Sequence, residues 1–547
     1  CHYAFINRCL QRASAGYGRS IGRLVALPTG RLALLVGAAM AACLVVTALL
    51  FLRVPSELSP AEDRGRFFVA VDGPEGAGFD YTVAQIQQVE LIFAEHIGDD
   101  GPIERANSRV PRGWGGSEEM HSGAVIVFLK DWREREESTA DVVASVRDSF
   151  SELPGVQVRA NVPGGLIGAR GQRYQLVLGG PNYEDLAEWR DRMLVRMEEN
   201  PGIQDPDSDY KETRPQMRVE IDRARAADLG VSVQEIGRTL ETMMGSRQVT
   251  RYIDDGEEYD VMLQAARDHR MEPDDLSNTW VRGRDGTLVP LSNLVTLQEV
   301  AEPGSFNRFN RLRAITISAG LAPGYTMGEA IQWTYDVAAE ELPGHAQIDW
   351  KGETREFQEA GGAIVLTFLL ALAVVYLVLA AQFESFLHPL VIMFTVPLAV
   401  LGALLGLWIT GGTLNLFSQI GIVMLVGLAA KNGILLVEFA NQLRDGGRSV
   451  HEAIAEASAV RLRPILMTMA ATIMGAIPLV VAGGPGSASR ATIGVVIISG
   501  VAFATLLTLF VVPSLYALLA PYTRSPETLA RKLEELEART PAVGGQA

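Results

Sequence analysis

The sequence predicts a polytopic α-helical membrane protein with six spans and a large α+β domain inserted after the first. Three observations predict it. The 547 residues are 48% hydrophobic. Those residues gather into six apolar runs, near 32–52, 361–381, 388–410, 416–440, 464–483 and 491–519. A hydrocarbon core of roughly 30 Å needs about 20 apolar residues as a helix. Residues 53–359 hold no such run and instead alternate strand and helix patterns.

Charge sets the orientation. Arg8, Arg12, Arg19, Arg23 and Arg31 precede the first run and place the N-terminus in the cytoplasm. Six crossings return the C-terminus to that side. The loop after the fourth run agrees, with Arg444, Arg448, Arg461 and Arg463, whereas "TGGTLN" and "VAGGPGSASR" after the third and fifth are nearly uncharged. The 53–359 segment is then outside the cytoplasm. The first run is too long, and preceded by too much chain, for a cleaved signal peptide. Cys1 and Cys9 fall on the cytoplasmic side and Cys43 in the first run, so the exported segment uses no disulfides. A net charge of −16 argues against nucleic acid as a partner.

Within the exported segment, "RFFVAV" (66–71), a weaker strand near 102–110, "GAVIVFLKDW" (123–132) and "VQVRAN" (156–161) read as strands. Helical patterns over 81–97 and 139–150 lie between them. The order βαββαβ is the split-βαβ plan. A second unit starts at "RYQLVLGG" (173–180), continues through a helix at 183–199 and "QMRVEI" (216–221), and resumes at "RAITISA" (313–319), a helix at 325–341 and "AQIDWKG" (346–352). An insert of short strands and turns, 226–303, interrupts it. The repetition suggests internal duplication. "ETLARKLEELEART" near the C-terminus reads as a solvated helix.

The fourth run contains "GLAAKNGILLVEFA" (427–440). Lysine is rare here: Lys130, Lys211, Lys351, Lys431 and Lys532 are the only ones. A lysine at a span centre costs about 2.5–3.5 kcal/mol, so it is expected to face an interior and a counter-charge. The other five runs hold no Asp or Glu in their apolar cores, and Glu438 lies nearer the cytoplasmic end. Either Lys431 lines a small wet cavity, or it pairs with carboxylates outside these residues. A carboxylate beside an ammonium in low dielectric titrates with its surroundings, which makes the second arrangement a proton-driven switch. Gly427, Ala429 and Gly433 are small residues that would let helices pack closely near Lys431. Arg461 and Arg463 read as positive-inside anchors, and Thr468 as a back-bonded hydroxyl.

"GLAAKNGILLVEFANQLRDGG", "AVRLRPILMT" and "GAIPLV", with "VPSELSPAEDRGRFFVAV", "FLKDW" and "DLGVS", resemble resistance-nodulation-division efflux permeases of the hydrophobe/amphiphile class. The likeness covers essentially the whole chain. It implies the C-terminal half of a twelve-helix bundle, with these spans as the seventh to twelfth, and a periplasmic domain of ferredoxin-like βαβ subdomains. The implied layout is a cytoplasmic amphipathic segment (1–30), a span (31–53), a first porter subdomain (54–165), a second (166–225 and 304–355), a docking subdomain (226–303), five spans (356–520) and a cytoplasmic tail (521–547). The resemblance also implies proton/substrate antiport of hydrophobic or amphiphilic compounds, driven by the proton-motive force in the inner membrane of a Gram-negative bacterium. Protons are the coupling ion and no cofactor is implied.

The relay would comprise Lys431, Asn432, Arg461 and Thr468, facing two aspartates of an N-terminal half. Implied partners are that half, two further copies in a homotrimer, a periplasmic adaptor protein and an outer-membrane channel. The residues matching the family's pocket phenylalanines are Arg112, Trp114 and Ile126, with Phe128 beside them, and Glu118 and Glu119 add charge. Either Arg112 and the glutamates point to water, or the pocket is more polar than a promiscuous hydrophobic one and takes a narrower or different amphiphilic cargo.

Two alternatives remain open. One is a metal exporter of the same superfamily, for which the adjacent Met243 and Met244 give little support. The other is a non-transporting half acting as scaffold or regulator, which the opening on Cys1 permits. An enzyme is not expected. His2, His96, His121, His269, His345, His388 and His451 are scattered, and no phosphate-cradling glycine loop occurs.

Overall fold

A computed structural model describes residues 2–98, 101–113, 119–162, 172–322 and 324–523, with side chains over 12–98, 101–113, 119–162, 172–322, 324–361 and 365–523. Trp114, Glu118 and the helix expected at 527–540 lie outside the described residues.

Among the described residues six helices are long and apolar enough to cross a membrane: Thr29–Arg53, Gly352–Phe383, Leu387–Thr410, Leu416–Asp445, Val450–Val481 and Ser487–Tyr522. All six match the apolar runs, but two start earlier than hydropathy indicates. The second begins at Gly352, and the fifth at Val450, behind a capping box formed by Ser449 and Glu452. The polar first turns "VHEAIAEA" are good helix formers without being apolar, so a hydropathy reading passes over them. The fourth helix starts where Asn415 accepts hydrogen bonds from the amides of Phe417 and Ser418, each at 3.0 Å.

The third, fourth and sixth spans form the buried centre of the bundle, and the second and fifth are largely uncovered. Glycines set the closest approach. A Cβ at Gly406 would overlap Ser499, and one at Gly500 would overlap Leu425. At Gly402 it would stand 2.6 Å from Phe503 Cβ. The N-terminal segment is a helix, His2–Val25. It packs on the bundle, with Ile21 and Val25 buried. Ser14 donates to the Ala459 carbonyl at 2.6 Å, and the Tyr17 hydroxyl donates to that of Leu509.

After the first span, residues 66–161 fold as βαββαβ. Their strands are Arg66–Asp72, Ile103–Arg109, Ser122–Leu129 and Gln157–Asn161. Numbered in that order, they lie 2-3-1-4 across the sheet, all antiparallel. Strand alternation sends Phe67, Val69, Val71, Val125 and Val127 to one face. There they pack with Ile86, Val89 and Phe93 of helix Phe79–Ala94, and with Val142, Val146 and Phe150 of helix Thr139–Ser151.

The second sheet repeats this plan with Tyr174–Gly180, Ile203–Ser208, Leu312–Leu321 and Gln347–Trp350, plus a short Arg308–Phe309 at its edge. One strand was misplaced from sequence. The second sheet takes Ile203–Ser208, not 216–221. "IQDPDS" holds Asp, Pro and Asp, all depleted in strands, yet it pairs with Leu312–Leu321. The expected strand runs Arg214–Ile221 and pairs with Val295–Glu302.

That ribbon belongs to a separate compact unit, Pro74–Gly78 with Tyr210–Asn307. Its small core comprises Ala226, Val231, Ile236, Leu276, Val281, Val289, Leu291 and Leu294. It also carries a hairpin, Arg247–Asp254 with Glu257–Leu263, whose Tyr252, Ile253, Tyr259 and Met262 are exposed.

Candidate functional site

Lys431 occupies the fourth span, Leu416–Asp445. Helical periodicity divides that span sharply. Gly421, Leu425, Val426, Ala429, Ala430, Asn432, Gly433, Leu436 and Val437 are buried. Ile420, Met424, Gly427, Lys431, Glu438 and Gln442 are exposed. Their spacing of three, four or seven residues makes a single stripe along the helix. Lys431 therefore stands in the middle of an uncovered face that is apolar towards Ile420 and polar towards Gln442. Among the described residues it has no hydrogen bond and no ion pair. On this chain's own surface the lysine is not neutralised.

The remaining residues expected in the relay fall at different places. Asn432 is buried, and its Nδ2 donates to Thr505 Oγ1 of the sixth span at 2.9 Å. Thr468 donates to the Ile465 carbonyl at 3.0 Å, the back-bonded geometry of a mid-helix threonine. Arg461 is half-buried with its guanidinium 4.4 Å from the Phe439 ring centroid, a cation–π contact joining the fifth span to the fourth. Its Nε is buried with no hydrogen-bond partner among the described residues. No hydrogen bond joins Lys431 to any of these three among the described residues.

Of the three small residues, Ala429 is buried, and a Cβ at Gly433 would lie 3.2 Å from Ile392 Cγ2. A Cβ at Gly427 would meet nothing within 4 Å among the described residues, and this glycine lies on the stripe beside Lys431. Close helix contacts also occur at Gly421, where a Cβ would stand 2.9 Å from Val496 Cγ1, and at Gly402, Gly406, Gly494 and Gly500. Small-residue spacing alone could not distinguish these from the other glycines of the apolar runs.

The first sheet presents its second face away from its helices. Register places three cross-strand rows there. Phe128 lies between Arg66 and Arg105, Ile126 between Phe68 and Asn107, and Ala124 between Ala70 and Arg109. Phe68, Ile126 and Phe128 are half-buried. The Arg105 guanidinium lies 4.7 Å from the Phe128 ring centroid. Arg112 is exposed, and its Nη1 bonds Asp72 Oδ1 at 2.9 Å. Asp72 also pairs with Arg159, which pairs in turn with Asp207 of the second sheet at 2.7 Å. Burial alone would lower the Arg159 pKa, but the two aspartates outweigh it and raise it.

Two polar joints were not read from sequence as such. "SPAEDRG" and "FLKDW" meet at Asp63. Its carboxylate accepts from Arg135 at 2.8 Å, Thr139 Oγ1 at 2.5 Å and the Gly65 amide at 3.0 Å, while its carbonyl accepts from Trp132 Nε1 at 3.1 Å. Burial would raise the Asp63 pKa, but these donors, Arg135 foremost, hold it below the ordinary value. The second joint ties the second sheet to the second span. Arg173 bonds Glu353 at 2.8 Å and the Ser59 carbonyl at 3.3 Å, and Thr354 Oγ1 accepts from the Gln175 amide at 3.1 Å. Nearby Glu57 is half-buried, and that burial pushes its pKa up despite a hydrogen bond from Thr413. Among the described residues no group of three or more His, Cys, Asp or Glu could hold a metal ion.

Comparison with known proteins bears on these features. Residues 1–520 match the model of the AcrB/AcrD/AcrF family. An uncharacterized transporter of Haemophilus influenzae is 36% identical over 480 residues, which cover 86% of this chain and 46% of that protein. The multidrug/solvent efflux pump membrane transporter MepB of Pseudomonas putida is 31% identical over 534 residues, covering 96% of this chain and 50% of its own length. The antibiotic efflux pump membrane transporter ArpB of Pseudomonas putida is also 31% identical, over 532 residues, with the same coverage. The chain spans about half the length of the curated relatives it matches. A match over nearly the whole chain, six helices able to cross a membrane and a paired βαββαβ region place it together with these transporters: the chain is a multi-pass membrane protein of the AcrB/AcrD/AcrF family of resistance-nodulation-division permeases.

Proposed function

We propose that this chain is the C-terminal half of a proton-driven exporter of hydrophobic or amphiphilic compounds. The observation that carries the reading is Lys431, a cation at the middle of a membrane span, on an uncovered helical stripe, with no acidic partner among the described residues. An ammonium in hydrocarbon is costly unless paired. The relatives' doubled length and their efflux-pump names supply the context. On this reading an N-terminal half covers the stripe and sets two aspartates against Lys431. Protonating an aspartate weakens the pair and releases the lysine, and the bundle repacks. Arg461 and Thr468 line the route the proton takes, and Asn432 holds the fourth span to the sixth through Thr505.

The twelve-helix bundle lies in the inner membrane of a Gram-negative bacterium. The two βαββαβ units are periplasmic porter subdomains of ferredoxin-like topology, and the 210–307 unit is the docking subdomain. Repacking reaches the porter sheets through the Arg173–Glu353 joint. The exposed hairpin Arg247–Leu263 supports the homotrimer. A two-stranded hairpin is marginal alone in water, and its tyrosines, isoleucine and methionine gain by burial against another copy. A periplasmic adaptor and an outer-membrane channel complete the export path.

The test is flux in proteoliposomes containing the complete protein. An imposed pH gradient should drive uptake of an amphiphilic dye into inside-out vesicles, with a matching proton current. Dye movement indifferent to the gradient would remove the antiport, and no movement at all would favour a non-transporting half.

A further inference from the structure

We propose that the open face of the first sheet binds a small anionic amphiphile, an organic sulfonate or carboxylate with a fused-ring or short-chain body. The inference rests on the transport reading above and names the cargo class of its porter domain. The floor is apolar at its centre, with Phe68, Ile126 and Phe128 in adjacent rows. Four residues along a strand span about 13 Å, and neighbouring strands are about 4.8 Å apart, so the floor accommodates a naphthalene-sized body.

The charge around Phe128 on this face is positive. Phe128 is flanked directly by Arg66 and Arg105, one on each neighbouring strand. Both are exposed, and neither has an ion pair among the described residues. Asp72, the acid on the same face of the Arg66–Asp72 strand, is already shared by Arg112 and Arg159. An acidic headgroup between Arg66 and Arg105 would receive charge-assisted hydrogen bonds from both sides, while its apolar body lies over Phe128 and Ile126. A cationic amphiphile would meet two unshielded guanidinium groups at that position, and a neutral one would gain only the floor.

The test compares two dyes of one skeleton: 1-anilinonaphthalene-8-sulfonate, and N-phenyl-1-naphthylamine, which lacks the sulfonate. Each is titrated against the full chain in lipid nanodiscs, with empty nanodiscs subtracted. Arg66→Gln/Arg105→Gln should weaken sulfonate binding about tenfold and leave the neutral dye unchanged. Arg66→Lys/Arg105→Lys should restore most of the sulfonate affinity, which separates charge from a folding defect. An unchanged sulfonate affinity, an equal loss of both dyes, or no rescue by lysine would overturn the proposal. Export of the two dyes by the complete protein is measured separately. If the charge-dependent binding holds but neither dye is exported, the site stands and the transport reading fails.

Discussion

Lys431 and Asp63 show two ways in which single charged side chains are managed here. Asp63 is satisfied within the chain by four donors to its carboxylate, counting the Thr139 amide at 3.3 Å. Replacing it with Asn removes the charge that holds the nearly buried Arg135, and should destabilise the first βαββαβ unit by about 2–3 kcal/mol. Chemical denaturation followed by Trp132 fluorescence measures this. The pH dependence has a definite sign. Because the folded carboxyl titrates below its ordinary value of 3.8, its contribution is complete above that value and fades as pH falls through the depressed one. The unit should lose stability on acidification below about pH 4, and Asp63→Asn should flatten that loss. Asn432 is satisfied as well, through Thr505, and a double-mutant cycle between the two should give about 0.6–1.7 kcal/mol, the scale of hydrogen bonds between membrane helices.

At the scale of elements, the fourth span has one face committed to its neighbours and one uncovered. Gly406 and Gly427 lie in such different surroundings that they make a paired test. Gly406→Leu forces a side chain into Ser499 of the sixth span. It should lower the melting temperature of this chain by several degrees in detergent. At Gly427 an added Cβ meets nothing within 4 Å among the described residues, so Gly427→Leu should leave the melting temperature unchanged, while co-purification with the proposed N-terminal half should fall. Hydropathy and periodicity made the six spans legible, because a run of about 20 apolar residues has few other uses. They did not reveal which glycines are contacts. That depends on which faces meet, and a single sequence carries no record of the partner helix. Strand Ile203–Ser208 was missed for a related reason, since its pairing with Leu312–Leu321 outweighs a weak local propensity. Lys431 was readable because its cost is local to its own helix.

At the scale of the whole molecule, the proposed transport requires motion in the bundle to reach the sheets. Arg173, Glu353 and Ser59 join three segments at that point: the start of the second sheet, the start of the second span and the linker after the first span. Arg173→Gln should leave dye affinity within about twofold and reduce gradient-driven export severely in the complete protein. Equal losses of binding and export would instead mean that the residue only supports the fold. The family, the six spans and the duplicated sheets were all legible before the structure was known, through motifs that extend along most of the chain. The paired state of Arg112 was not, because Asp72 lies 40 residues away in sequence and only the sheet register brings them together.

The most direct measurement is gradient-driven export by the complete protein carrying Lys431→Ala, with assembly followed in parallel by size-exclusion chromatography. The account predicts an intact assembly with neither cargo export nor coupled proton flux. An intact assembly that exports at the unmodified rate would contradict it, because the ammonium at position 431 would then play no part in energising the pump.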